Sequence, residues 1–299
     1  MGEQQITKKQ HYVPRTYLRG FSPDPKRIWS YSLDPMDSGK IVPTESVCFK
    51  KFLYEVKDES GNLIAPNLIE KILSVLEGKF ATNLRALEKK AFHKENYQTP
   101  CFFTTDEKLF WKAFIAVQIM RNPNVIKAAV DVTNDFFGNQ LSQNKIQALA
   151  MSQCLPFFNV MKPEDTSAFS VFLKPLLDMK IALGVDEGGT IFTSDNPVCC
   201  YSSHRDNLSE ATEYDEVVMP LTPKLVLFLL GGEVAKKHDR NRLFPLNPEN
   251  LDFVKRTTAY NAQSWIFSQN TLTENDRAII EQARKDRKED EAASIIHAG

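Results

Sequence analysis

Hydrophobic and polar positions change their spacing along the chain, and the changes mark its elements. A short helical turn is expected over Pro14 to Arg19, because Pro14 holds Val13 out of the helical region. From Arg27 to Leu33 (RIWSYSL) the pattern alternates, with Ile28, Ser30 and Ser32 on one face and Trp29, Tyr31 and Leu33 on the other, which predicts a strand. DPMDSGK then reads as a turn. Val47 to Val56 (VCFKKFLYEV) predicts a second, aromatic-rich strand, closed by DESGN. From Pro66 to Phe92 the period lengthens to about 3.6, predicting a helix capped by Asn67. Leu68, Ile72, Val75, Leu76, Phe80, Leu84 and Leu87 form its apolar stripe.

A second helix opens at Thr104, with Glu107 at capping-box spacing. Its pattern turns Leu109, Phe110, Phe114, Val117 and Met120 inward, and Pro123 stops it near Arg121. Residues 124 to 152 predict a third helix and Glu164 to Pro175 a fourth. Strand signals return between Met179 and Leu230. MKIALGV alternates, EGG turns, TIF pairs back, and VVMPL and LVLFLLG flank a TPK turn. Asn250 to Tyr260 predicts a helix and Ser264 to Phe267 a last strand. The tail opens with Thr273 to Asp276 and continues as a charged helix whose thin apolar stripe is Ile279, Ile280 and Ala283.

Strands, then helices, then strands predict an α+β fold: a central helical bundle packed on a mainly antiparallel sheet built from N-terminal and C-terminal strands. The expected organisation is a single domain over 1–268, with strands in 27–56, helices in 67–175, strands in 179–230 and a helix over 250–261. Residues 269–299 form the charged helical tail.

Composition narrows the function classes. With 42% hydrophobic and 25% charged residues, the chain is of globular type, and no repeat punctuates it. Lys and Arg number 37 against 38 Asp and Glu, so no global field draws it to nucleic acid or anionic lipid. Five cysteines without a CxxC pair point to a reducing, cytoplasmic setting. The leader has no apolar signal core, and no run approaches the roughly 18 apolar residues of a membrane span, so no membrane association is expected. The five histidines have no HxxxH or HExxH spacing, and there is no GxSxG elbow, Walker loop or GxGxxG fingerprint. The pattern leaves cofactor and metal unassigned, with room for a divalent ion. Cys199-Cys200, at the end of an apolar run, reads as buried and inert.

Three polar segments remain as candidates. Gln10 and His11 stand with Tyr12 ahead of Pro14, and the imidazole can serve acid–base chemistry or simply satisfy a carbonyl in a packing motif. Gln118 and Arg121 share the inward face of the second helix with Phe114. A guanidinium there must meet a carboxylate, carbonyls or an anionic ligand, and Glu70 and Glu77 on the first long helix are the natural protein partners. Thr193-Ser194-Asp195-Asn196-Pro197 follows an apolar strand, where it can face a ligand or fold into an Asx-turn.

QHYVPRTYLRGF, the IEKILSVLE helix, the Gln118-to-Arg121 helix end followed by NP, FTSDNPV, MPLTPK and Asn261 in AYNAQSW together resemble the domain-of-unknown-function family 4238 of bacterial and phage-related proteins. The likeness covers roughly residues 8 to 268. It implies that His11, Glu77, Arg121, Asp195, Asn196 and Asn261 are motif positions, and it carries no established activity. One functional expectation is a hydrolase acting on a phosphodiester in nucleic acid or a nucleotide. In it His11, Asp195 and Glu77 would be catalytic, and Gln10, Gln118, Arg121, Ser194, Asn196 and Asn261 would hold substrate. An excess of four positive charges in the first 27 residues would suit a polyanion. The other expectation is a non-catalytic ligand-binding or sensing module, such as a bacterial conflict system uses, with the charged tail engaging a protein partner. A third reading keeps all these residues as an internally satisfied network.

Overall fold

The computed structural model describes residues 6–93, 102–138, 140–155, 167–201, 214–237 and 242–297, with the side chains of 168 and 291–297 also left undescribed. In chain order the elements begin with β1 (Lys9–His11), α1 (Arg15–Leu18), β2 (Arg27–Ser32), β3 (Lys40–Pro43), β4 (Phe49–Lys51), β5 (Val56–Lys57) and β6 (Leu63–Ile64). The helices α2 (Leu68–Ala91), α3 (Thr105–Met120), α4 (Pro123–Phe137), α5 (Gln143–Cys154) and α6 (Ala168–Asp178) follow. Then come β7 (Lys180–Val185), β8 (Thr193–Ser194), β9 (Cys199–Tyr201), β10 (Glu216–Thr222) and β11 (Leu225–Leu230). The chain ends with α7 (Gly232–Lys237), β12 (Arg242–Pro245), α8 (Pro248–Asn261), β13 (Trp265–Ser268) and α9 (Glu274–His297). The fold is α+β, with helices concentrated in the middle and antiparallel sheets drawing on both ends.

Two compact units divide the chain, each discontinuous in sequence. The first takes Met1–Pro14, Cys48–Asn83 and Thr105–Asp178. Here β1 pairs antiparallel with β4, β5 with β6, α3 packs on α6 and α4 on α5. Leu73, Val117, Met120, Ile126, Met151 and Cys154 fill its core, and Phe80 stacks on Phe114 at 4.5 Å. Asn122, immediately after α3, caps α4 by accepting from the Asn124 amide at 2.9 Å, and Pro123 supplies the first helical φ without losing a donor.

The second unit takes Arg15–Val47, Leu84–Thr104 and Met179–Gly299. One sheet has the order β3-β2-β13-β8, all antiparallel, so strands from the first fifty residues join strands from beyond residue 190, as the sequence pattern predicts. The other has the order β12-β7-β11-β10-β9, antiparallel except for the parallel β12–β7 pair. β11, LVLFLL, is buried at every position, which is why it lacks alternation. Gly189, with φ +65°, allows the turn after β7. Helix α9 opens with a reciprocal box: the Thr273 amide donates to Asp276 at 3.1 Å, and the Asp276 amide donates to Thr273 Oγ1 at 3.1 Å. Its Ile280 and Ala283 join the core that covers Tyr31, Phe192 and Ile266, so the charged tail is anchored by its first turns.

Four expectations need correction. The 47–56 strand shrinks to β4, because Cys48 and Phe52 adopt φ values of 54° and 55° that no strand accommodates. TIF does not pair back on β7. It leads into β8, which pairs with β13 in the other sheet. The third helix is two, separated between Phe137 and Gln143, with Ser142 accepting from the Lys145 amide to start α5. Val75 and Leu109 face outward, at 63% and 50% exposure, while Leu73 and Trp111 take the buried positions two residues away. The Glu164 start of the fourth helix lies outside the described residues.

Candidate functional site

In the first unit, β1 and the end of α3 bring several of the candidates together. Arg121 is 1% exposed, and all three guanidinium nitrogens donate to protein. Nε donates to the Tyr54 hydroxyl at 3.2 Å, Nη1 to Glu77 Oε1 at 3.1 Å, and Nη2 to the His11 backbone carbonyl. The Tyr54 hydroxyl also donates to that carbonyl, at 3.1 Å. Gln118, one turn before Arg121, donates from Nε2 to the Tyr12 carbonyl at 2.8 Å. Gln10 receives the Tyr54 amide on Oε1 at 2.7 Å and donates from Nε2 to Glu55 at 2.8 Å. The Asn67 amide also donates to Glu55, and Asn67 Oδ1 accepts from the Thr7 amide at 2.7 Å, so the residue expected to cap the helix ties the leader down.

The helix end places Arg121 where the sequence face predicts, and Glu77 is its partner as the spacing suggested. Glu70, the other named candidate, keeps Oε1 buried without a hydrogen-bond partner among the described residues. Burial pushes its carboxyl up to about 7, against the pull of Arg121 and with the help of the negative charges on Glu77 and Glu55. The imidazole of His11 sits beside Phe49, with ring centroids 5.7 Å apart. Sequence reasoning missed Tyr54 and Glu55. In the expected 47–56 strand, alternation gives them no shared task.

In the second unit, the loop after β8 is laced to the α8–β13 corner. Asp195 is 2% exposed and takes the Gln263 amide on Oδ1 at 2.8 Å and the Ser264 amide on Oδ2 at 2.9 Å. Burial raises its carboxyl above the usual range, and these backbone donors pull the other way. Ser194 Oγ donates to the Asn196 carbonyl at 2.9 Å and accepts the Asn196 amide at 3.1 Å. Asn196 Nδ2 donates to the Asn261 carbonyl at 3.2 Å, and Asn261 Nδ2 donates to the carbonyls of Asn196 and Val198 at 3.0 and 2.8 Å. Thr193 Oγ1 lies 2.6 Å from the Tyr17 hydroxyl, which donates to the Pro220 carbonyl at 2.7 Å. Burial pushes the Cys199 thiol well above its ordinary value, in keeping with an inert cysteine.

The nine candidates thus form two groups. Gln10, His11, Glu77, Gln118 and Arg121 belong to the first unit, and Ser194, Asp195, Asn196 and Asn261 to the second. Among the described residues no three His, Cys, Asp or Glu side chains stand together as a metal site, and no helix is long and apolar enough to cross a membrane. Both groups can hold backbone segments in place. Beside the first group, the Glu70 carboxyl, raised to about 7, lies in the range where acid–base chemistry near neutrality is possible.

A family model described as Protein of unknown function (DUF4238) matches residues 9–271. No curated protein and no solved structure matches the chain.

Proposed function

The chain belongs to the DUF4238 family, and from the way its motif residues are occupied we propose that it is a non-catalytic ligand-binding or sensing module. The observation that carries this reading is the occupation of Arg121 and Asp195. A phosphodiesterase would aim such groups at substrate, whereas here the guanidinium serves Tyr54, Glu77 and the His11 carbonyl, and the carboxylate serves two backbone amides. A charge committed in this way stabilises a scaffold, and any ligand is then read by other surfaces of that scaffold.

A thermal-shift screen of the purified protein against small charged and aromatic compounds tests the reading. Saturable stabilisation without turnover is expected. Hydrolysis of labelled RNA, DNA or nucleotides, with or without Mg²⁺ or Mn²⁺, would overturn it.

One observation favours the hydrolase as a second reading. Glu70, raised to about 7 beside Arg121 and Glu77, is poised as a general acid or base. In that case Glu70 and His11 would exchange protons with a phosphodiester substrate, and Glu70→Gln would abolish turnover while the protein stays folded.

A further inference from the structure

The second unit carries a cavity of about 320 Å³ on the face of the five-stranded sheet, at the lower end of the size range of small-ligand pockets. Its floor is apolar and built from adjacent strands. Ala182 of β7 pairs with Phe228 of β11, and Leu230 lies one step along, opposite Glu216 of β10. Phe244 of β12 and Phe253 of α8 add two aromatic walls, and Val234 of α7 adds an aliphatic one. Phe253 is 36% exposed, so the mouth of the cavity is itself aromatic.

One polar group stands out inside this lining. Glu216 projects from the first position of β10 among Leu230, Phe228 and Val234, and among the described residues it has neither a hydrogen bond nor an ion pair. The other charges nearby are accounted for. The Arg242 guanidinium lies over the Phe244 ring at 5.1 Å, and the Lys180 ammonium donates to the Ala235 carbonyl at 2.7 Å. Glu249 and Asn250 at the mouth are exposed, and Asp215 next to Glu216 adds negative charge. Partial burial and that neighbour push the Glu216 carboxyl up to about 7. An unpaired carboxylate in an apolar recess is costly unless something supplies the missing cation.

We infer that this cavity binds a small organic amine, with Glu216 pairing with the ammonium and Phe228, Phe244 and Phe253 enclosing an aromatic or branched apolar body. The inference rests on the binding-module reading and names its ligand class. The recess excludes large ligands by volume. Glu216 and Glu249 in the lining, with Asp215 beside Glu216, disfavour an anionic ligand, against Arg242 as the lining cation among the described residues. A cation between aromatic faces gains from the ring quadrupoles as well as from the carboxylate.

Calorimetric titration of the full chain with phenethylamine, phenethyl alcohol and phenylacetate tests this. Saturable binding of the amine, with the alcohol at least about tenfold weaker and phenylacetate silent, is expected. Glu216→Gln should cost about tenfold in amine affinity, and Phe253→Ala, at an exposed position, should weaken the amine and leave the circular dichroism unchanged. Equal binding of the alcohol, preference for phenylacetate, amine affinity unchanged in Glu216→Gln, or no binding of any of the three would each overturn the inference. The binding-module reading is judged separately. It survives if the thermal-shift screen finds another ligand, and it falls only with turnover or with no ligand in that screen.

Discussion

Asn196 and Asn261, 65 residues apart in sequence, exchange side-chain amides: each donates from Nδ2 to the other's backbone carbonyl, at 3.2 and 3.0 Å. The exchange fastens the loop after β8 to the last residue of α8. Asn261→Ala should therefore destabilise the protein by about 1 to 3 kcal/mol, and Asn196→Ala by a similar amount. Because the two act as one clasp, the double variant should lose less than the two single losses added together. Urea unfolding of the three variants measures both effects.

Arg121 is held by three kinds of acceptor, a phenol, a carboxylate and a carbonyl. Arg121→Ala leaves Glu77, Tyr54 and the His11 carbonyl without their donor and should cost about 3 to 5 kcal/mol. Arg121→Lys should recover only part of this, because an ammonium cannot span a fork of three acceptors. Differential scanning calorimetry of the two variants separates loss of charge from loss of geometry.

Glu70 ties stability to pH. Its folded carboxyl lies at about 7 against an ordinary value of 4.5, so between these values the folded state binds more proton than the unfolded chain. Its contribution is complete below pH 4.5, and stability falls as pH rises toward 7. Glu70→Gln should flatten that decline. Unfolding free energies across this window, wild type against variant, give the slope directly, and an unchanged slope would contradict the assignment.

The tail helix tests where the core ends. Ile280 is fully buried with Ala283 against Tyr31 and Ile266, and Lys255 of α8 pairs with the buried Asp276 at 2.7 Å. Ile280→Ala should cost about 2 to 5 kcal/mol, as for a core position. Equilibrium unfolding reads it, and a loss below about 0.5 kcal/mol, the range of surface substitutions, would show the tail to be peripheral.

Much of the architecture is legible in the pattern. The alternation at Arg27 to Leu33, the apolar run of β11 and the Asn122-Pro123 stop each rest on a local physical rule that tertiary packing did not override. What was hidden follows from non-local causes. Nothing in VCFKKFLYEV marks Cys48 and Phe52 for positive φ, so Tyr54 and Glu55 looked like strand residues when they are the acceptors and braces of Gln10 and Arg121. In α3 the buried face is wider than a stripe, because Trp111, Ile115 and Ala116 are covered too, and Leu109 could not be told from them by period alone. The polar candidates stand out in the sequence by their improbable positions beside apolar segments. Whether such a group faces ligand or backbone depends on which partner the fold delivers, and spacing does not encode that.

Arg121, Asp195, Asn196 and Asn261 are committed to holding the scaffold. Asp195→Ala measures that commitment most directly, by urea unfolding run beside an assay for cleavage of labelled RNA and DNA. A loss of about 1 to 3 kcal/mol is expected, from two backbone amides left without their acceptor, with no cleavage by either protein. An unchanged unfolding midpoint together with a nuclease activity that the substitution abolishes would contradict it.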